Sequence, residues 1–191
     1  AVTGAEDAGA TDPGQGIPIN MNLDIGDFDR GEFVEKLLIQ APANAHGTFY
    51  FNGVALTTLT QGGKTWYQVP PAAMQAVAGT NDKFELKGVT FVPDHDYSSQ
   101  SDGGNPLRFP IQLQVGVTEG SKPSVLTGNL DITVQGIADK PLWDDGSTHK
   151  HYSTDEDSTG IALNVQAKLT DTDGSETLSY QIKWESGLGS L

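Results

Sequence analysis

Two stretches of the chain alternate apolar and polar side chains. In "RFPIQLQVGVT" (108–118) Ile111, Leu113, Val115 and Val117 share one face, and in "LTGNLDITVQGIAD" (126–139) Leu130, Ile132 and Val134 do the same. A period of two is the period of a strand with one buried face, and it excludes an amphipathic helix over the same residues. Shorter runs of the same kind recur along the 191 residues, between turn residues. "GTFYFNGVALTTL" (47–59) carries an Asn-Gly step between two strand-like pieces, a strong hairpin signal. "KTWYQV" (64–69) and "FELKGVTFV" (84–92) read as strands, and Phe49, Tyr50 and Phe51 alternate faces around the hairpin. Trp66 and Tyr67 read as core residues by default, and Trp143 as packing at a seam between units. The one helical signal is "PPAAMQAVAG" (70–79), with alanines after a Pro pair and a closing glycine. Many short strands at this spacing predict an all-β fold, an antiparallel β-sandwich with elaborated loops.

The second constraint is an internal repeat. "DFDRGE" (27–32) and "DTDGSE" (171–176) superpose at an offset of 144 residues, aligning Asp27 with Asp171, Asp29 with Asp173 and Glu32 with Glu176. The match extends upstream, where Gly16, Ile17 and Asn20 fall on Gly160, Ile161 and Asn164. Each copy follows a Glu-Asp pair, Glu6 and Asp7 in the first and Glu156 and Asp157 in the second, with six more residues after the pair in the first copy. Strands are expected after both acidic loops, carrying Val34 and Leu38 in the first and Leu178 and Ile182 in the second. A boundary falls near "GIADKP", ahead of the polar stretch 144–160, so two units are expected. Residues 1–141 would form the sandwich, and 142–191 a linker plus a partial second copy packed back on it, because a strand or two is not stable alone. No signal-peptide pattern opens the sequence, and an excised piece of a longer chain is expected.

The acidic loops give the composition its meaning. Twenty-five acidic against eleven basic residues leave a formal charge of −14, which repels nucleic acid and anionic lipid and attracts cations. No run of about twenty apolar residues is present to span a bilayer. Cysteine is absent, so disulfides, thiolate zinc sites and cysteine nucleophiles are excluded. Calcium takes six to eight oxygen ligands, largely carboxylates and carbonyls, from a loop able to curl around it. Asp-x-Asp-x-x-Glu places three carboxylates within six residues; the early Glu and the strand flanks exclude an EF-hand loop. A single acidic turn is ordinarily just solvated, but two matched copies predict structural Ca2+. The candidate ligands are Glu6, Asp7, Asp27, Asp29, Glu32, Asp139, Glu156, Asp157, Asp171, Asp173 and Glu176. His149 and His151 have the spacing for two zinc ligands on one side of a strand, against the commoner solvated pair.

"EDSTGIALNVQAKLTDTDGSETLSYQI" (156–182), with the preceding "GNLDITVQGIADKP", resembles the repeat units of giant RTX adhesins of Gram-negative bacteria. The resemblance covers 126–182, weakens over 1–40, where Arg30 replaces the glycine of the acidic loop, and is loose over 41–125. It implies calcium-dependent β-sandwiches secreted to the bacterial cell surface, monomeric modules within a long tandem chain. Adhesins of this family also carry a calcium-dependent peptide-binding domain of about this size, which captures the free C-terminus of proteins on another cell's surface. The chain is similar to such a domain in having spacer-like ends around an elaborated middle.

That middle is "VPDHDYSSQSDGGNPLRF" (92–109), in which Asp94, Asp96 and Asp102 sit among Ser99, Gln100, Ser101, Gly103, Gly104 and Asn105. The loop is a candidate for a calcium open on one side, completed by a ligand's carboxylate or vicinal hydroxyls, with the glycine amides approaching the ligand. The plainer alternative is a flexible polar loop without a ligand. Three functions stay open: peptide capture, a stalk spacer stiffened by calcium, and a lectin-like module with Trp66 or Tyr97 as platform. Enzyme activity is not expected. The sequence holds no Gly-x-Ser-x-Gly elbow, phosphate-cradling loop or His-Glu-x-x-His, and abundant aspartates do not make a glycosidase pair.

Overall fold

A computed structural model describes residues 1–25, 32–80, 82–117, 124–147, 149–155, 157–171 and 173–181. The chain divides into two compact units, Ala1–Ile137 and Ala138–Leu191. Asp27, Asp29, Arg30, Glu156 and Ile182 lie outside the described residues.

In the first unit the chain runs through β1 (Val2–Ala5), β2 (Ile17–Pro18), β3 (Met21–Asp24), β4 (Glu32–Gln40), β5 (Gly47–Phe51), β6 (Val54–Ala55) and β7 (Thr58–Gln61). It continues through β8 (Lys64–Val69), β9 (Met74–Ala76), β10 (Lys83–Leu86), β11 (Val89–Pro93), β12 (Leu107–Val117) and β13 (Ser124–Gln135). A six-stranded sheet has the order β1-β13-β12-β4-β8-β7, a four-stranded sheet β2-β11-β5-β6, and a three-stranded sheet β3-β10-β9. The fold is all-β and sandwich-like, and among the described residues helical structure is limited to three short 3-10 turns. No helix among them is long and apolar enough to cross a membrane.

An aromatic cluster joins the two larger sheets. Phe49 of β5 and Phe91 of β11, cross-strand neighbours tilted against each other, both meet Phe109 of β12 edge-on, and Phe49 also meets Tyr67 of β8, with centroids 5.0–5.4 Å apart. Such offset contacts add to what burial alone contributes. Leu107, Leu113, Val115, Leu130, Ile132 and Val134 are buried in the same core, so the alternation in both long strands does point one face inward. The Asn-Gly hairpin forms as expected: Asn52 and Gly53 both take positive φ, 48° and 80°, the geometry that matches strand twist between β5 and β6.

Four local expectations differ from the structure. Residues 70–79 hold only a 3-10 turn, Pro71–Ala73, without a side-chain cap, before the chain enters β9 and pairs with β10. "FELKGVTFV" is not one strand: it breaks at Gly88, φ 73°, and its halves β10 and β11 join different sheets. The edge strand β1 pairs with β13 in parallel, where a wholly antiparallel sandwich was expected. The two strands come from opposite ends of the unit, so the rest of the unit supplies the long crossover that a parallel pair needs. In the second unit β14 (Leu142–Trp143) pairs with β15 (Ala167–Lys168), but residues 173–181, including Leu178, carry no strand. A strand persists only where its backbone groups find a ladder, and this stretch has none among the described residues.

Candidate functional site

In the second unit the acidic loop is wound by its own backbone. Asp171 Oδ1 accepts from the Asp173 N–H at 2.8 Å and Asp173 Oδ1 from the Ser175 N–H at 2.6 Å, while Gly174 turns the chain at φ 87°. The Asp139 N–H donates to Glu176 Oε1, and Asp139 Oδ2 accepts from Thr170 Oγ1 at 3.4 Å, so the residue expected at the seam reaches this loop. Carboxylate oxygens of Asp171 and Asp173 lie within 4.8 Å of each other. Asp171 is 3 % exposed, and its Oδ2, with Glu176 Oε2 and Ser175 Oγ, is buried without a hydrogen-bond partner among the described residues. A buried carboxylate oxygen that lacks a donor is costly unless a cation meets it. All-oxygen ligands at close range fit a hard ion such as calcium.

Glu6 is buried at the end of β1, where its N–H donates to Gln135 O at 3.0 Å and its Oε1 accepts from the Ile137 N–H. Glu32 opens β4, Asp7 is exposed in a turn, and Asp157, His149 and His151 are exposed.

The inserted loop is ordered by named contacts. Tyr97 is buried, its ring stacks on His46 at 4.3 Å and 5°, and its hydroxyl donates to Asp102 Oδ2 at 2.8 Å. Burial first, then Asp102, push the phenol well above its ordinary value, so it stays a donor. Ser98 accepts from the Gln100 N–H at 3.3 Å and caps the 3-10 turn Ser99–Asp102. Ser99 is buried, and its Oγ accepts from the Val134 N–H at 3.0 Å, anchoring the loop on β13.

Two expectations for this loop are revised. Asp94, Asp96 and Asp102 do not form a carboxylate cluster among the described residues: Asp94 is exposed, Asp96 sits 2.6 Å from His95 Nδ1, and Asp102 holds Tyr97. The Gly103 and Gly104 amides are not open to a ligand, because they donate to Gln100 O at 3.0 Å and Ser99 O at 2.8 Å. Their left-handed φ, 69° and 81°, serves that tight closure. Trp66 and Tyr97, the proposed sugar platforms, are 4 % and 6 % exposed.

Beside the loop lies a cleft of about 410 Å³ lined by Pro42, Asn44, Asp102, Asn105 and Pro106 and by residues 107–109 of β12. Asp102 and Asn105 belong to the expected ligand-binding set; Gln100 and Ser101 are exposed on the same loop. Asn44 and Arg108 join this lining without belonging to the expected set. Arg108 sits opposite Asp131 in the β12–β13 register, with Nε 2.8 Å and a terminal nitrogen 3.3 Å from its two oxygens. The pairing holds the Asp131 carboxyl below its usual range and Arg108 above its own. A cation opening the alternating run was the available signal; the β4–β5 connection bearing Asn44 gave none. No family model, curated protein or solved structure matches the chain.

Proposed function

We propose that the protein is a calcium-dependent adhesion module of a bacterial cell surface that captures partner proteins by their free C-termini. The observation behind this is the cleft beside the inserted loop, where Asn44, Asp102, Asn105 and Arg108 gather polar groups. A peptide end has matching chemistry: one carboxylate, amide groups that need partners, and a terminal side chain to desolvate. Calcium enters at the loop of Asp139, Asp171, Asp173 and Glu176, where donorless buried oxygens call for a cation, and it acts by holding the fold. The lectin-like alternative loses its platform with the burial of Trp66 and Tyr97. The stalk spacer is the competing function.

An array of immobilised peptides, free at the C-terminus or amidated, probed in calcium and in EDTA, tests this directly. Retention that needs both calcium and the free carboxylate is expected. Equal retention of amidated peptides would remove carboxylate capture, and no retention at all would return the protein to the stalk. Retention unaffected by EDTA would remove calcium from the account.

A further inference from the structure

The chain carries a formal charge of −14, so an anionic ligand approaches it against a repulsive field unless a local cation receives it. Among the described residues lining the cleft, Arg108 is the one cation. Its guanidinium is 65 % exposed and already oriented, because Asp131 on the neighbouring strand takes Nε and one terminal nitrogen. A guanidinium has five N–H donors in a planar fork, and this arrangement leaves the remaining ones for a ligand. The cost of ordering a long, flexible side chain is thereby met before binding.

Resting on the peptide-capture function, we infer that Arg108 is the carboxylate anchor of the cleft. It would receive the terminal carboxylate as a charge-assisted fork, with Asp131 as the positioning residue that aims it. Asp102 and Asn105, on the same stretch of the lining, are the acceptors available to the peptide's last amide groups. The carboxylate of Asp102 also disfavours a second negative charge nearby, so the preferred ligand has one carboxylate and a neutral final side chain. This assignment places the anchor on a rigid strand, and it needs no ion among Asp94, Asp96 and Asp102, which stand apart.

The test uses the full chain in calcium and a fluorescent pool of randomised tetrapeptides, with either free or amidated C-termini. Arg108→Gln should weaken binding of the free-carboxylate pool by about 10- to 100-fold and bring it level with the amidated pool. Arg108→Lys, which keeps the charge without the fork, should fall between the two. Melting of both variants should stay close to the parent, since an exposed cross-strand pair contributes little to folding. Free-carboxylate binding by Arg108→Gln within twofold of the parent would overturn the assignment while leaving peptide capture intact. A parent protein that binds both pools equally would overturn the underlying function, and the anchor with it.

Discussion

Tyr97 links the core of the first unit to its loop: the ring stacks on His46 and the hydroxyl donates to Asp102, which lines the cleft. Removing the hydroxyl with Tyr97→Phe should cost about 1 kcal/mol in urea unfolding, because Asp102 is exposed and water replaces the lost donor. The phenol's pKa is raised in the fold, so its contribution is fully present below its unfolded value, near pH 10, and is lost as pH climbs through the folded value. The parent should therefore lose stability at strongly alkaline pH more steeply than Tyr97→Phe. Parallel stability profiles for the two proteins would show that the contact does not contribute.

Elements decide how well this loop is held. Phe109 on β12 touches both Phe49 and Phe91 across the sandwich and follows Arg108 of the cleft in the chain. Phe109→Ala should cost about 3–5 kcal/mol in equilibrium unfolding, since it opens a cavity where the two sheets meet. A cost under about 1 kcal/mol would mean that the sheets are not joined there. The strands that sequence reveals are those whose own residues carry the whole signal. The alternation of Leu130, Ile132 and Val134 and the Asn52-Gly53 turn are local facts, and both form as expected. The break at Gly88 is not local in this sense: whether the chain continues straight or changes sheet is settled by partners, β9 and β3 on one side and β5 and β2 on the other. The same holds for the site. Asp102 and Asn105 can be picked from the inserted loop by composition, and Arg108 stands out as a cation opening the alternating run, but its pairing with Asp131 follows only from the β12–β13 register. Gly103 and Gly104 have the residue type for ligand approach, but their amides close the loop instead, a choice made by three-dimensional hydrogen bonding.

At the scale of the whole molecule, the two units carry different chemistry. The second unit holds the acidic loop of Asp171, Asp173 and Glu176, and the first holds the cleft. A site that binds calcium only when folded adds about 2.7 kcal/mol when the ion stands at a hundred times its dissociation constant. Adding EDTA should accordingly lower the melting temperature of the parent, and Asp171→Asn with Glu176→Gln should show the lower value without EDTA and little further response to it. A parent whose melting ignores EDTA would rule out calcium as a structural element. The central claim concerns the cleft, and the most direct measurement is a titration of the isotope-labelled full chain, in calcium, with the best-retained free C-terminal peptide, followed by amide NMR shifts. Shifts concentrated at residues 42–44 and 102–109 are the predicted result. Binding whose shifts fall elsewhere would contradict it.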